Sequence, residues 1–327
     1  MLSVTSGLPG TVTTSAHIQE RLADVLDRLR LPRNLLERVA GVLERRTWTG
    51  DEDVHSGTIG AANRALTQAE VKPEEIDLLI NTSVSRPHLE PSVAARLHHG
   101  LGLPSSALNF DVTNACLGFV NGMSLAASMV ETGQVRHALV VAGENVDDVH
   151  AATIERLLSA NPSRDELMQE FATLTLGSGA AATVIGAAED HPRSHRLLGG
   201  VTRAATQFHD LCVGSADGMF TDAAGLLKGG LDLVVSAWHE AEPEWRWSQA
   251  DRFVTHQVSR AHTDAITEAI DLDPAKVPTT FPTLGNVGPA SLPITLAAEQ
   301  DSLDPGDRVL LMGVGSGLNT ALMEIVW

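Results

Sequence analysis

Short apolar runs alternate along this chain with longer segments that carry apolar residues at helical spacing. The runs "IDLLINTSV", "ALNFDVT", "HALVVAGE" and "GAAATVIGAA" are typical of strands in a buried sheet. The segments "HIQERLADVLDRL", "PSVAARLHHGLGL" and "LGFVNGMSLAASMV" predict amphipathic helices. Ser163 and Glu166 form a predicted capping box that opens the helix "ELMQEFATL". This alternation favours an α/β fold with largely parallel strands.

A polar stretch, "EDHPRSH" at residues 189–195, interrupts the pattern and is the best candidate for a domain boundary. Beyond it we predict the strands "RLLGGVTRAAT", "RFVTHQ" and "RVLLMGVGSG" and the helix "SRAHTDAITEAI". We expect "RVLLMGVGSG" to be the final strand of the chain. Both parts contain strand–turn–helix units with a polar residue at the turn. The sequence therefore predicts two structurally duplicated halves, one over residues 1–190 and the other over residues 191–327.

Composition and charge narrow the class of protein. The 327 residues are 43% hydrophobic, which is enough for a large core. The net charge of −18 and the pI near 5.0 argue against a nucleic-acid partner, which normally meets a basic face. No run approaches the roughly 20 apolar residues of a membrane span, and "MLSVTSGLPG" lacks the features of a signal peptide. We therefore expect a cytoplasmic protein.

The chain has two cysteines, too few and too far apart for a disulfide framework or a metal cluster. Cys116 stands where a predicted strand gives way to a predicted helix. The positive end of the helix and its free N–H groups favour the thiolate, which is the nucleophilic form. The alternative is a small buried side chain, since free cysteine is often buried. Cys212 lacks this setting and is interpreted as structural.

Two further polar side chains lie at predicted turns. His256 follows a strand and precedes a helix, so we expect it at a strand end, where active sites of open α/β sheets gather. The alternative is a hydrogen-bonded core histidine. Asn286 lies between glycines in "PTLGNVGPAS", where its amide is suited to donate a hydrogen bond into a site. The alternative is an ordinary turn asparagine.

Two loops complete the set of candidates. The glycine-rich turn "GVGSGLN", residues 313–319, follows the last predicted strand, but it lacks the spacing and the lysine of a P-loop. Its backbone, near Ser316, is suited instead to donate an N–H to an oxyanion. Glu90 precedes a proline at a predicted helix start, where the helix dipole alone favours an acidic residue.

These motifs resemble a known family when they are taken together. A cysteine, a histidine and an asparagine at strand-end turns, in this order, resemble the thiolase superfamily. The motifs "NACLGF", "GNVGPAS" and "GVGSG" are similar to those of ketoacyl-ACP synthase III enzymes. Within that group, "LINTSVSRPHLEPSVAARLHHGLGL" and "NFDVTNACLGFVNGM" most resemble the OleA family. The resemblance spans nearly the whole chain.

The resemblance implies a fold and an activity. The fold is the thiolase fold, a five-layered αβαβα arrangement of two duplicated halves that is used as a dimer. The activity is the condensation of two fatty acyl-CoA molecules without decarboxylation. It gives a 2-alkyl-3-ketoalkanoic acid, the first intermediate of long-chain olefin or β-lactone pathways. Acyl-CoA is the substrate, and no cofactor or metal is implied.

The resemblance also implies roles for individual residues. Cys116 matches the acylated nucleophile, and His256 and Asn286 match its hydrogen-bonding partners. Glu90 matches a glutamate that reaches into the neighbouring subunit's site as a base. The backbone at Cys116 and the turn that holds Ser316 match the oxyanion hole.

Two questions stay open at the level of the sequence. Arg45 and Arg46 are candidates to bind CoA phosphates, but a solvated helix face paired with Glu37 and Glu44 explains them equally well. The segment "RNLLERVAGV" lacks the aromatic residue that stacks on the CoA adenine in synthase III relatives. The alternatives for function are a decarboxylating synthase that uses malonyl thioesters and one subunit of a heterodimeric condensing enzyme.

Overall fold

The structure, a computed structural model, describes residues 1–50, 52–215 and 218–327. Two mixed β-sheets enclose a central layer of helices, and other helices cover the outer face of each sheet. This is a five-layered αβαβα arrangement, so the predicted fold class is confirmed.

The described strands and helices are numbered in chain order. The strands are β1 Ser3–Gly7, β2 Thr11–Thr14, β3 Glu44–Thr47, β4 Leu78–Asn81, β5 Leu108–Asp111, β6 His137–Glu144, β7 Gly179–Gly186, β8 Arg196–Ala204, β9 Cys212–Ser215, β10 Gly218–Thr221, β11 Arg252–Thr255, β12 Arg308–Gly315 and β13 Asn319–Val326. The helices are α1 Ser15–Arg21, α2 Ala23–Arg28, α3 Leu35–Val39, α4 Val54–Ala69, α5 Val93–Gly100, α6 Gly118–Glu131, α7 Asp147–Ser159, α8 Arg164–Glu170, α9 Ala223–Trp245, α10 Arg260–Ala269, α11 Phe281–Leu284 and α12 Ser291–Glu299.

The first sheet has the strand order β1-β7-β6-β4-β5. Strands β6, β4 and β5 are parallel, whereas β7 is antiparallel to both β6 and β1. The register sets Asn81 opposite both Asp111 and Val141. The carboxyl ends of the three parallel strands therefore meet at one end of the sheet.

The second sheet repeats part of this arrangement, with the order β11-β12-β13-β8. Strands β11 and β12 are parallel, and β13 is antiparallel to both β12 and β8. The relative directions of β11, β12, β13 and β8 match those of β4, β6, β7 and β1 in the first sheet. The order thus supports structural duplication, although β5 has no counterpart among the described strands, and β9 and β10 pair separately.

Helices α6 and α12 fill the layer between the sheets. One apolar cluster joins them to side chains of both sheets, among them Ile80 and Leu311. A Cβ atom at Gly122 of α6 would come within 2.8 Å of Thr82 Cγ2, so glycine there allows a close approach to the first sheet. Helices α4 and α5 cover the outside of that sheet, and α9 and α10 cover the second.

Most of the predicted elements are present. Strand β6 and helices α6 and α10 lie where their patterns placed them. The capping box is confirmed, because the Ser163 N–H donates to Glu166 Oε2 at 2.7 Å and the Glu166 N–H donates to Ser163 Oγ at 3.3 Å. The helix predicted from "HIQERLADVLDRL" is divided at Leu22 into α1 and α2.

Two elements contradict or extend the sequence analysis. Strand β12 was expected to be the last, but β13 follows it as the second strand of a hairpin. Helix α9 was not predicted, because Gly229, Gly230 and Pro243 are poor helix formers. The proposed boundary at residues 189–195 falls between β7 and β8, where the chain passes from one sheet to the other.

None of the described helices combines the length and apolar character needed to cross a membrane.

Candidate active site

Cys116 lies in a sharp turn between β5 and α6. Ala115 has a φ of 46°, which is uncommon for a residue with a side chain and bends the chain just before the thiol. Helix α6 begins at Gly118, where a Cβ atom would come within 2.8 Å of the Thr82 carbonyl oxygen. Glycine therefore lets α6 start close to the end of β4, and this close start fixes the turn.

The same turn packs on strand β12 in the second half of the chain. A Cβ atom at Gly313 would lie 2.3 Å from Leu117 Cδ2, and a Cβ atom at Gly315 would lie 3.3 Å from the Asn114 carbonyl oxygen. The glycines, Gly313 above all, leave room for the turn. Residues on both sides of Cys116 are thus in contact with the end of β12.

His256 directly follows β11, the parallel neighbour of β12. Its backbone N–H donates to the Met312 carbonyl oxygen at 2.9 Å. Met312 directly precedes Gly313, against which the Cys116 turn packs. The side chain is 5% exposed, and neither ring nitrogen has a hydrogen-bond partner among the described residues. Burial, with a smaller contribution from His262, lowers the pKa of His256 to about 3. A neutral imidazole has one N–H free to donate.

Asn286 follows α11 and is fixed through its backbone. Its N–H donates to the Thr175 carbonyl oxygen at 3.0 Å, and its own carbonyl oxygen accepts from the Gly177 N–H at 2.9 Å. Oδ1 accepts from the Gly288 N–H at 3.0 Å. This bond fixes the amide orientation and leaves the Nδ2 donor for another partner. The side chain is half-buried.

Gln257, the residue after His256, links these two segments. Its Oε1 accepts from the N–H of Thr280 at 2.7 Å and from that of Phe281 at 3.2 Å. The segment that leads to Asn286 is therefore held against the end of β11. These contacts join the segments that carry Cys116, His256 and Asn286. Cys116 follows β5 and His256 follows β11, whereas Asn286 follows helix α11 and does not stand at the strand end that was expected for it.

The protonation state of Cys116 differs from the expectation. Burial raises the pKa of the thiol to about 12, and the neighbouring Cys212 and Glu144 act in the same direction. The backbone N–H of Cys116 itself lowers the pKa by a smaller amount. The cost of placing a charge away from water thus exceeds the benefit of the helix start, and the neutral thiol is favoured.

Sequence reasoning missed Glu144, the last residue of β6. The side chain is 4% exposed, and burial raises its pKa to about 7 despite hydrogen bonds from Ser85 and Val84 that lower it. Its carboxylate also acts on the pKa of Cys116, so the two groups are close enough to interact. The available signal was an acidic residue at the carboxyl end of an apolar strand, "HALVVAGE".

Glu90 lies outside this set of contacts. It is exposed in the loop between β4 and α5, and its carboxylate makes no hydrogen bond or ion pair with the part of the chain that the structure describes. Ser316 is half-buried in the β12–β13 turn, one residue after Gly315 and next to the Cys116 turn.

The interpretation of Arg45 as a CoA ligand is wrong. Its side chain is fully buried and donates to Ser15 Oγ at 3.1 Å and to the Leu174 carbonyl oxygen at 2.9 Å. It stands on strand β3 and not on a helix face, so alternation along the strand points it inward. Arg46, its neighbour on the opposite face, is half-buried.

Comparisons with known proteins agree with this geometry. Residues 110–203 match the model for 3-oxoacyl-[acyl-carrier-protein] synthase III, and residues 241–327 match the model for its C-terminal part. The acyl-CoA:acyl-CoA alkyltransferase of Xanthomonas campestris is 45% identical over 96% of this chain and 94% of its own. The enzyme of the same description from Shewanella oneidensis is 34% identical over 98% of this chain and 96% of its own.

Solved structures give the same result. The crystal structure of a Cys-to-Ser variant of Xanthomonas campestris OleA with bound lauric acid and lauroyl-CoA is 43% identical, with a TM-score of 0.97 over 100% of this chain and 98% of that one. The fold and these relatives define a thiolase-fold condensing enzyme of the synthase III type. Within that class, the chain belongs to the OleA family.

The raised pKa of Cys116 predicts its reactivity toward alkylating agents. In a Cys212→Ser background, the rate of carboxamidomethylation by iodoacetamide should rise with pH through pH 10 without a plateau, because only the thiolate reacts. A small free thiol measured in parallel should level off near its own pKa. Mass spectrometry at each pH measures both rates. A plateau for Cys116 below pH 9 would contradict the buried neutral thiol.

Proposed function

We propose that this protein condenses two fatty acyl-CoA molecules without decarboxylation and yields a 2-alkyl-3-ketoalkanoic acid. It is an acyl-CoA condensing acyltransferase of the OleA family. The observation that carries the proposal is the contact between the Cys116 turn and the strand end beside His256. Lauroyl-CoA bound to a related OleA, as its description states, supports a long acyl chain as the substrate. Such a product feeds an olefin or β-lactone pathway.

Cys116 carries the first half of the reaction. Its sulfur attacks the thioester carbonyl of the first acyl-CoA, the new C–S bond replaces the bond to CoA, and the thiol proton leaves with the CoA sulfur. The carbonyl oxygen is negatively charged in the transition state. Backbone N–H groups at Cys116 and near Ser316 stabilise that charge, since such donors act strongly where water is excluded.

The second half of the reaction requires the removal of a proton from a weakly acidic carbon. The α-carbon of the second acyl-CoA gives a proton to Glu90, and the resulting enolate oxygen accepts hydrogen bonds from His256 and Asn286. The α-carbon then attacks the acyl group on Cys116, the C–S bond breaks, and the sulfur takes up the proton that Glu90 removed, which restores the thiol and the carboxylate. Hydrolysis of the remaining CoA thioester gives the acid. Because no carboxylate is lost, an added base is needed, and this need distinguishes the reaction from decarboxylating synthases.

We place Glu90 in the site of a second copy of the chain. Strand β5 is one of the two edge strands of the first sheet in the described part of the chain, and it carries Leu108, which is 52% exposed. Leu89, next to Glu90, is 93% exposed, and Val84 in the same loop is 51% exposed. An unpaired edge strand bordered by exposed apolar side chains is suited to pair with another subunit. A homodimer would cover this edge and bury Glu90.

The solved relatives support this assignment of roles. Structures of Xanthomonas campestris OleA include variants at a cysteine, a histidine and a glutamate. In that chain the glutamate precedes the cysteine by the same number of positions that separates Glu90 from Cys116.

With Arg45 buried, we place Arg260 nearest the CoA phosphates, because it is exposed four residues after His256.

The Glu90→Gln variant tests the proposed base. It keeps size and polarity but cannot accept the α-proton, so condensation of myristoyl-CoA should fall by about 100-fold or more. Acylation of Cys116 should stay within about twofold, because that half-reaction does not use the base. Intact-mass spectrometry measures the acyl-enzyme and liquid chromatography measures the β-keto acid.

Two outcomes would contradict the proposal that Glu90 is the base. Condensation at the wild-type rate would remove Glu90 from the mechanism. Condensation that requires a malonyl thioester would instead indicate a decarboxylating synthase. The Cys116→Ser variant is the control, since it should lose both the acyl adduct and the product.

The His256→Ala and Asn286→Ala variants test the enolate donors. Each should lower the rate of condensation by about 100-fold, because the charge on the enolate oxygen exists only after proton loss. The Michaelis constant for acyl-CoA and the acylation of Cys116 should change by much less. Single-turnover measurements separate the two steps. An unchanged condensation rate in either variant would exclude that residue from a direct role.

A further inference from the structure

We propose that Glu144 is a positioning residue that holds the Glu90 loop, residues 82–92, in the conformation in which Glu90 projects beyond its own chain. The inference rests on the role proposed for Glu90 above. Glu144 stands at the carboxyl end of β6, beside β4, from which the loop departs. It has no place in the reaction steps, yet it is buried in the site.

The carboxylate of Glu144 binds the start of the loop. Oε1 accepts from the Val84 N–H at 2.8 Å, and Oε2 accepts from the Ser85 N–H at 2.9 Å and from the Ser85 hydroxyl. All three donors are uncharged and belong to two successive loop residues. A buried carboxylate that accepts several N–H and O–H bonds makes them stronger than neutral pairs would be. The direction in which the loop leaves β4 is therefore set at this point.

A second carboxylate binds the far end of the loop. Asp111, at the end of β5, accepts from the N–H of Val93 and that of Ala94 at 2.9 Å each. These residues open helix α5, where unpaired N–H groups favour an anion. The loop is thus fixed at both ends by side chains from the two strands that flank β4.

The middle of the loop has few constraints of its own. Leu89 is 93% exposed, and Glu90 makes no hydrogen bond within the described chain. The location of Glu90 therefore depends on the two anchors. Glu144 also packs against the turn that carries Asn286, because a Cβ atom at Gly288 would lie 3.7 Å from Glu144 Cδ. The Glu144 carboxylate thus contacts both the Glu90 loop, which is proposed to reach the partner subunit, and the turn that carries Asn286 in its own chain.

The Glu144→Gln variant separates this role from general stability. Its amide can accept from only one of the loop N–H groups and sets an NH₂ donor against another, so the anchor should loosen. The matched control is Glu324→Gln. Glu324 is a similarly buried glutamate in β13, in the other sheet, and it accepts from Trp247 Nε1 at 2.9 Å and from the Arg308 guanidinium.

Hydrogen exchange, followed by mass spectrometry without substrate, measures the loop directly. Peptides that cover residues 83–92 should exchange about tenfold faster or more in Glu144→Gln than in the wild type, because one of the Val84 and Ser85 amides loses its acceptor and the start of the loop is held less firmly. Glu324→Gln should leave these peptides unchanged. If Glu144→Gln does not fold, Ser85→Ala removes one donor outside the core and should show a smaller change in the same peptides. Unchanged exchange in both Glu144→Gln and Ser85→Ala overturns the proposal.

A double-mutant comparison connects the loop to the reaction. Glu144→Gln should lower condensation by about tenfold or more and leave acylation of Cys116 within about twofold. Combined with Glu90→Gln, it should cause no further loss, because Glu144 acts through Glu90. A further loss, or slower acylation, would show a general structural role and contradict the proposal. A wild-type protein that fails to condense acyl-CoA would contradict the proposed function, and the exchange result would still decide the anchor.

Discussion

The contact between the Cys116 turn and the end of β12 is the constraint on which the site depends. It joins a nucleophile from the first half of the chain to a strand whose neighbour carries His256 in the second half. The contact is possible only because β12 has glycine where Leu117 packs. A duplicated fold of two sheets around central helices therefore produces one asymmetric site at the meeting of its halves. Each half supplies a different side chain, Cys116 after β5 and His256 after β11.

Burial sets the electrostatics of that site. The pKa of Cys116 is raised and that of His256 is lowered, so both groups are neutral at pH 7. A neutral histidine cannot provide a formal charge, but it donates one N–H where water cannot compete. The site is therefore prepared for an oxygen that acquires charge only during the reaction. In the proposed mechanism, the carboxylate that removes a proton comes from a loop at the exposed edge of the molecule.

The sequence predicts the positions that local patterns determine. Strand β6, helix α6 and the capping box at Ser163 follow from periodicity and capping chemistry, and the turns at Cys116 and His256 follow from the strand–helix junctions. Burial that depends on tertiary packing is not predicted. Arg45 resembles a surface cation because nothing in its neighbourhood shows that strand β3 turns it toward Ser15 and Leu174. Glu144 was missed because its partners are sixty positions earlier in the chain.

The central claim is that a site is complete only when a second subunit contributes Glu90. Mixing Cys116→Ser subunits with Glu90→Gln subunits, each inactive alone, and measuring β-keto acid formation after subunit exchange tests it most directly. The account predicts that activity returns to about one quarter of the wild-type level, since half of the dimers are mixed and each has one intact site. If Glu90 served its own chain, no mixed site would hold both groups. Mixtures that exchange subunits and remain inactive would contradict the account.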